Sequence, residues 1–189
     1  MTTDANDEQK QSRQHETITF RIEHSIAEEL RKEAEQKTES LNVLVNQILR
    51  IYLKWHKPSH NAGNIDFSKG VLTRIYDAFT DDQIAKIAEE YVKDELKETV
   101  YMLGAEYNIS SYLDTICTWF EVSGFPYRRE KKPNNSNNTN TDIISVRFDM
   151  GRKWSIWYEQ FIQNTFKSFK VKNLESEVTN NSIMFKIER

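Results

Sequence analysis

Residues Thr17 to Trp55, TITFRIEHSIAEELRKEAEQKTESLNVLVNQILRIYLKW, constrain the fold more tightly than any other stretch of the chain. They pattern as one short strand and two amphipathic helices, too little to fold alone and enough to fold as a pair of copies. Ile18, Phe20 and Ile22 alternate with Thr17, Thr19 and Arg21, the period of a strand with one apolar and one polar face. No second strand follows nearby to pair with this one. The simplest partner is the same strand of a second copy, giving a two-stranded antiparallel ribbon across a two-fold axis.

The residues behind the strand fit helices. Ser25 is the expected N-cap of the first, with Ile26, Leu30 and Ala34 following at i, i+4 and i+8 on one face. Gln36-Lys37-Thr38-Glu39 makes a polar break, and Ser40 is the expected cap of the second helix. That helix carries Leu41, Leu44, Val45, Ile48, Leu49, Tyr52 and Leu53, an apolar surface too wide for a lone hairpin and suited to an intertwined dimer core. A two-stranded ribbon also has the width of the DNA major groove.

With the Thr19-Phe20-Arg21 strand and the serine opening the second helix, residues 17–56 resemble the ribbon–helix–helix family of DNA-binding proteins. The resemblance covers about 40 of the 189 residues, and the order of elements carries it. It implies that Thr17, Thr19 and Arg21 point into the groove of double-stranded DNA, with Ile18, Phe20 and Ile22 beneath the ribbon. A guanidinium such as that of Arg21 can take guanine O6 and N7 together, and threonine offers a hydroxyl and a methyl. Ser40 and the N–H groups of Leu41 and Asn42 would hold a phosphate. The family often has glycine between its helices, where this chain has Lys37 or Thr38. The segment from Thr17 to Lys57 holds seven Lys and Arg against six Glu, so tight binding calls for several modules on one site.

The whole chain has a formal net charge of −3 and room for a small domain and a larger one. No apolar run approaches the roughly 18 residues that span a bilayer, and residues 1–16 lack the apolar core of a signal peptide. A cytoplasmic protein without membrane association is expected. Residues 1–16, polar and mixed in charge, are expected to form a disordered arm. The one cysteine, Cys117, excludes an internal disulfide and reads as a small buried apolar residue beside Ile116, Trp119 and Phe120. Residues 57–64 (KPSHNAGN) read as a linker, with Pro58 stopping the second helix. His56 and His60 stand four apart, a metal-ligand spacing on a continuous helix. Pro58 between them argues against one, so neither a metal nor a cofactor is expected.

Residues 65–189 read as an α+β domain of about three to four helices and an antiparallel sheet of about four strands, suited to oligomerisation or effector binding. One helix is expected from Phe67 to Phe79, starting near Ser68. Thr80-Asp81-Asp82-Gln83 forms a capping-box sequence for a second, running towards Leu103 and stopped by Gly104. Ser110 or Ser111 opens a third, closed by Gly124. Phe125 to Lys131 reads as a strand, the Asn-rich PNNSNNTNT as a mobile loop, and Asp142 to Asp149 as the clearest strand. Arg152 to Phe169 reads as a helix, followed by a hairpin of Leu174–Thr179 and Ser182–Glu188 around Asn180-Asn181. Two hairpins thus flank one helix, with helices on one face of the sheet.

This domain contains no histidine, no phosphate-cradling glycine loop and no nucleophile elbow, so enzymatic activity is not expected. Trp119, Phe120, Trp154, Trp157, Tyr158 and Phe161 fit an ordinary core more readily than an apolar pocket between helices and sheet. Arg147, Arg152 and Lys153 gather at a strand end and a first helical turn, a candidate anion or effector site. The favoured reading is a sequence-specific transcriptional regulator: a homodimeric head, joined as a dimer or tetramer by a domain that senses a small molecule or a protein. The arrangement looks like that of the nickel-responsive regulators of the family, but the lack of histidine after His60 argues against their metal site. The alternatives are an antitoxin-type autorepressor, disfavoured by the long patterned C-terminal domain, and a dimeric interaction module that does not bind DNA.

Overall fold

The computed structural model describes residues 16–134, 139–171 and 173–188. The expected arm, apart from Glu16, lies outside them. The chain packs as two units, residues 1–47 and 48–189.

In the first unit, α1 spans His24–Gln36, and α2, Leu41–Ile51, crosses the division between the units. The first helix opens before Ser25. Ala27 N–H already bonds Glu23 O at 3.0 Å, which leaves Ser25 inside the first turn and Glu23 at an N-cap without a side-chain bond. Ser40 does cap α2, its Oγ accepting from Val43 N–H at 3.2 Å. Between the helices, Thr38 adopts φ 56°. Thr38 N–H bonds Glu35 O and Glu39 N–H bonds Ala34 O, each at 3.0 Å, the paired closure that a left-handed residue after a helix makes. Residues 17–23 have no regular secondary structure, so the strand expected there is not formed within the single chain. A strand is completed by hydrogen bonds to a neighbour, and the described residues supply none.

The second unit is α+β. α2 passes without a break into a π-helical turn, Tyr52–His56, and then into α3, Lys57–Asn61. The segment read as a linker is therefore helical through Asn61, and Pro58 does not stop it. Pro58 stands at the start of α3, directly after the π turn. The π turn before it, where Lys57 N–H bonds Tyr52 O, shifts the hydrogen-bond register by one residue where a proline ring would crowd an α-helical carbonyl.

Ser68 caps α4, Lys69–Asp77, through Val71 N–H. Thr80 and Gln83 form both halves of the capping box on α5, Asp81–Asp94. The single helix expected as far as Leu103 is interrupted at Glu95, φ −124°, and resumes as α6, Leu96–Met102. α7, Ile109–Val122, is capped by Asn108, whose Oδ1 accepts from Ser111 N–H at 2.9 Å. Ser110 and Ser111 thus lie within that helix, because the better-placed asparagine precedes them. α8 spans Arg152–Ser168.

The strands β1 (Tyr127–Asn134), β2 (Thr139–Arg147), β3 (Asn173–Val178) and β4 (Ser182–Glu188) form an antiparallel sheet ordered β1-β2-β4-β3. Two hairpins flank α8, as the alternating patterns predict. The strands reach further into the Asn-rich segment than expected, with Pro133 opposite Asn140 and Asn134 opposite Thr139. Ile144, Val146, Ile183, Phe185 and Ile187 turn inward to a core shared with Leu113, Phe120, Tyr158 and Ile162. Arg129 of β1 ties α7 to the sheet: its Nη1 donates to Asp114 Oδ1 at 2.6 Å and its Nε to the fully buried Asp142 Oδ1 at 3.0 Å. No helix among the described residues is long and apolar enough to cross a membrane.

Candidate functional site

Within the first unit, Thr17, Thr19 and Arg21 are exposed, and so are Ile18, Phe20 and Ile22 at 61, 59 and 49%. The single chain therefore does not separate the two faces of this segment. Arg21 makes no ion pair among the described residues. Ala34 and Leu44 are the buried residues of this unit among those described, while Ile26 and Val43 stay largely open. Such a small core cannot meet the entropy of ordering two helices without further burial.

Ser40 stands at the N-terminus of α2 with Leu41 and Asn42. The first backbone bond there runs from Leu44 N–H to Ser40 O, so the Leu41 and Asn42 N–H groups precede the intrahelical ladder. The Asn42 side chain is engaged along the helix, its Oδ1 accepting from Asn46 Nδ2 at 3.3 Å.

The basic trio of the second unit, Arg147, Arg152 and Lys153, has a separate partner for each cation. Arg147 Nε pairs with Asp149 at 2.9 Å, Arg152 with Asp81 at 3.6 Å, and the Lys153 ammonium donates to the Phe79 carbonyl. Each cation is turned to its own partner, a carboxylate or a carbonyl brought close by the fold. Their nearness in sequence did not reveal those partners.

What the second unit does assemble is an aromatic cleft of about 530 Å³. Its walls come from the π turn and α3, the loop after them, and helices α4 to α8. Of the aromatic set, Phe120, Trp154, Tyr158 and Phe161 are buried in the core with Trp119 and Trp157 packed against it, as expected, and all but Phe120 also line the cleft. No strand contributes, so the cleft lies among helices and not between helices and sheet. On α8 the spacing 154, 157, 161 builds a stack, Trp154 on Trp157 at 5.3 Å and Trp157 on Phe161 at 5.1 Å, nearly parallel at 6°. Trp119 of α7 stacks on Tyr158 at 5.8 Å and 16°. Lys69 stands over the Phe125 ring at 4.5 Å, a cation–π contact of a lysine that is itself exposed.

Three buried lining residues carry polar atoms without a hydrogen-bond partner among the described residues: Tyr112 Oη, Tyr158 Oη and Trp154 Nε1. Burial pushes both phenols far above their ordinary value. The Thr165 hydroxyl beside Tyr112 offsets a little of that rise, but the pair does not reach hydrogen-bonding geometry. Sequence reasoning missed Trp55, His56 and Ser59 on the wall, because the first two fall in the expected head segment 17–56 and Ser59 in the expected linker 57–64. His56 and His60 do fall on helical turns, yet no group of three or more metal-ligating side chains forms among the described residues. A scan of family models, a search of curated proteins and a search of solved structures each found no match to this chain.

Proposed function

We propose that the protein is a sequence-specific DNA-binding transcriptional regulator, whose residues 17–56 pair with those of a second copy as a ribbon–helix–helix head. The observation that carries the reading is the alternation of Thr17, Thr19 and Arg21 with Ile18, Phe20 and Ile22 ahead of two helices joined by a tight turn. The exposed apolar residues of that segment supply what a second copy would cover, each large side chain contributing about 1.5–3 kcal/mol on full burial. In the paired state, Arg21 and the two threonines read base edges, and Ser40 with the N–H groups of Leu41 and Asn42 anchors a phosphate. A two-fold head reads a site with matching symmetry, and half-site spacing follows the dimer.

Selection of bound fragments from sheared genomic DNA at near-physiological salt tests the proposal. The expected result is enrichment of a short repeated motif, lost in Arg21→Ala while the dimer persists in sedimentation. Binding by the intact dimer that is indifferent to sequence and to Arg21 would sink it.

A second reading, a dimeric interaction module without DNA, is favoured by the near-even charge of residues 17–57, seven basic against six acidic. It predicts that no fragment is retained and that Arg21→Ala changes nothing.

A further inference from the structure

We propose that the cleft of residues 48–189 binds an uncharged, apolar small molecule, held by the tryptophans and aliphatic side chains that keep open surface along its walls. This goes beyond the proposed function, to which it supplies a sensed ligand, and it stands on the cleft alone.

A volume of about 530 Å³ lies within the range that drug-sized ligands occupy. The apolar lining is within reach of an occupant. Trp55, Leu72, Leu103, Trp119 and Trp157 are half-buried, and Ile65 and Phe67 are 76 and 50% exposed. These side chains converge from the π turn, the loop after α3, the end of α6, and helices α4, α7 and α8. Large apolar side chains left partly open in one concave place mark a binding site, where single ones scattered over a surface do not.

The polar lining asks little of an occupant. Tyr91 Oη donates to Thr99 Oγ1 at 3.4 Å, Asn64 Nδ2 to Ser59 Oγ at 3.0 Å and Thr115 Oγ1 to the Ser111 carbonyl at 2.9 Å. The unpartnered atoms of Tyr112, Trp154 and Tyr158 are enclosed in the core, out of an occupant's reach. Charge does not select an ion either. The charge-bearing side chains of the lining, His56, Asp66 and Lys69, are all exposed, and Asp66 and Lys69 are opposite in sign. An ionised ligand entering among the tryptophans gives up water with no buried counter-charge. An apolar one gains with every part of its surface removed from water.

Ethylbenzene, benzylammonium and benzoate are the probes, a neutral, a cationic and an anionic molecule of similar outline. Each is added to the full chain without DNA, and tryptophan emission and melting temperature are read. All four tryptophans of the chain, Trp55, Trp119, Trp154 and Trp157, line the cleft, so an occupant that displaces water from the half-buried ones shifts emission to the blue. Binding to the folded state alone also raises the melting temperature.

Ethylbenzene is expected to give both signals below its solubility limit, and neither ion to do so at the same concentration. The double variant Ile65→Ser/Phe67→Ser alters exposed lining side chains and should melt close to the parent, yet weaken ethylbenzene by roughly 3–10-fold. Ile75→Ser, an equally polar change at an exposed residue outside the lining, should leave binding unchanged. Absence of both signals with ethylbenzene overturns the proposal, as does an equal response to either ion. A double variant that binds no more weakly than Ile75→Ser overturns it too. Because no DNA is present, a negative result leaves the proposed function standing, and failure of the DNA selection leaves the ligand site standing.

Discussion

At Thr38 a β-branched side chain is held at φ 56°, a region that costs an L-residue roughly 1–2 kcal/mol and usually falls to glycine. The two backbone bonds that close the helix end around it, to Glu35 O and Ala34 O, require that conformation. Replacing Thr38 with glycine removes the steric cost and adds some unfolded-chain entropy. Thr38→Gly is therefore expected to stabilise the chain by about 0.5–1 kcal/mol, read as an upward shift of the urea midpoint. The sequence placed this turn and narrowed the strained position to Lys37 or Thr38. It did not choose between them, because a helix end that moves by one residue moves the left-handed position with it. Arg129 and Asp142 were less legible still. Thirteen positions apart, they read as ordinary polar members of two strands, and only the hairpin register and the approach of Asp114 on α7 join them beneath the surface.

Helix boundaries follow local chemistry wherever a side chain can reach a backbone N–H. Thr80 accepts from Gln83 N–H while the Gln83 side chain accepts from Thr80 N–H, so both halves of the signal written in the sequence are used. Thr80→Ala should cost about 1 kcal/mol, checked by thermal unfolding, with Thr80→Ser recovering most of it. Strands were equally readable, since inward Ile183, Phe185 and Ile187 alternate with outward side chains at the period of the pleat. Two breaks in expectation share a different cause. The interruption at Glu95 and the π turn at Tyr52–His56 change hydrogen-bond register inside a helical pattern; no glycine or proline announces the first, and the proline beside the second reads as a stop. The cleft was half legible for that reason. The α8 spacing of Trp154, Trp157, Tyr158 and Phe161 marks a helical face, but the opposite wall begins at Trp55, ahead of a proline that looked like a stop.

Across the larger unit, buried groups that resist ionisation set how the protein meets alkali. Burial raises the phenols of Tyr112 and Tyr158 far above their ordinary value near 10, and the Cys117 thiol above its ordinary value near 9. In the unfolded chain these groups ionise at their ordinary values. Above about pH 10 the unfolded state thus binds fewer protons than the folded one, and stability falls as pH rises. Each buried phenol contributes a slope of about 1.4 kcal/mol per pH unit. Urea midpoints should hold steady to about pH 9 and then drop, and the Tyr112→Phe/Tyr158→Phe double variant should flatten that fall.

The sheet order carries a consequence of another kind. With β2 and β4 in the middle, β1 and β3 are left as open margins, and an open margin is a template on which foreign strands can polymerise. Both margins are guarded. β1 carries Arg128, Glu130 and Lys132 and, at Pro133, lacks one backbone donor; β3 carries Glu175 and Glu177 outward. Fibre-like growth by strand addition is discouraged at both ends of the sheet.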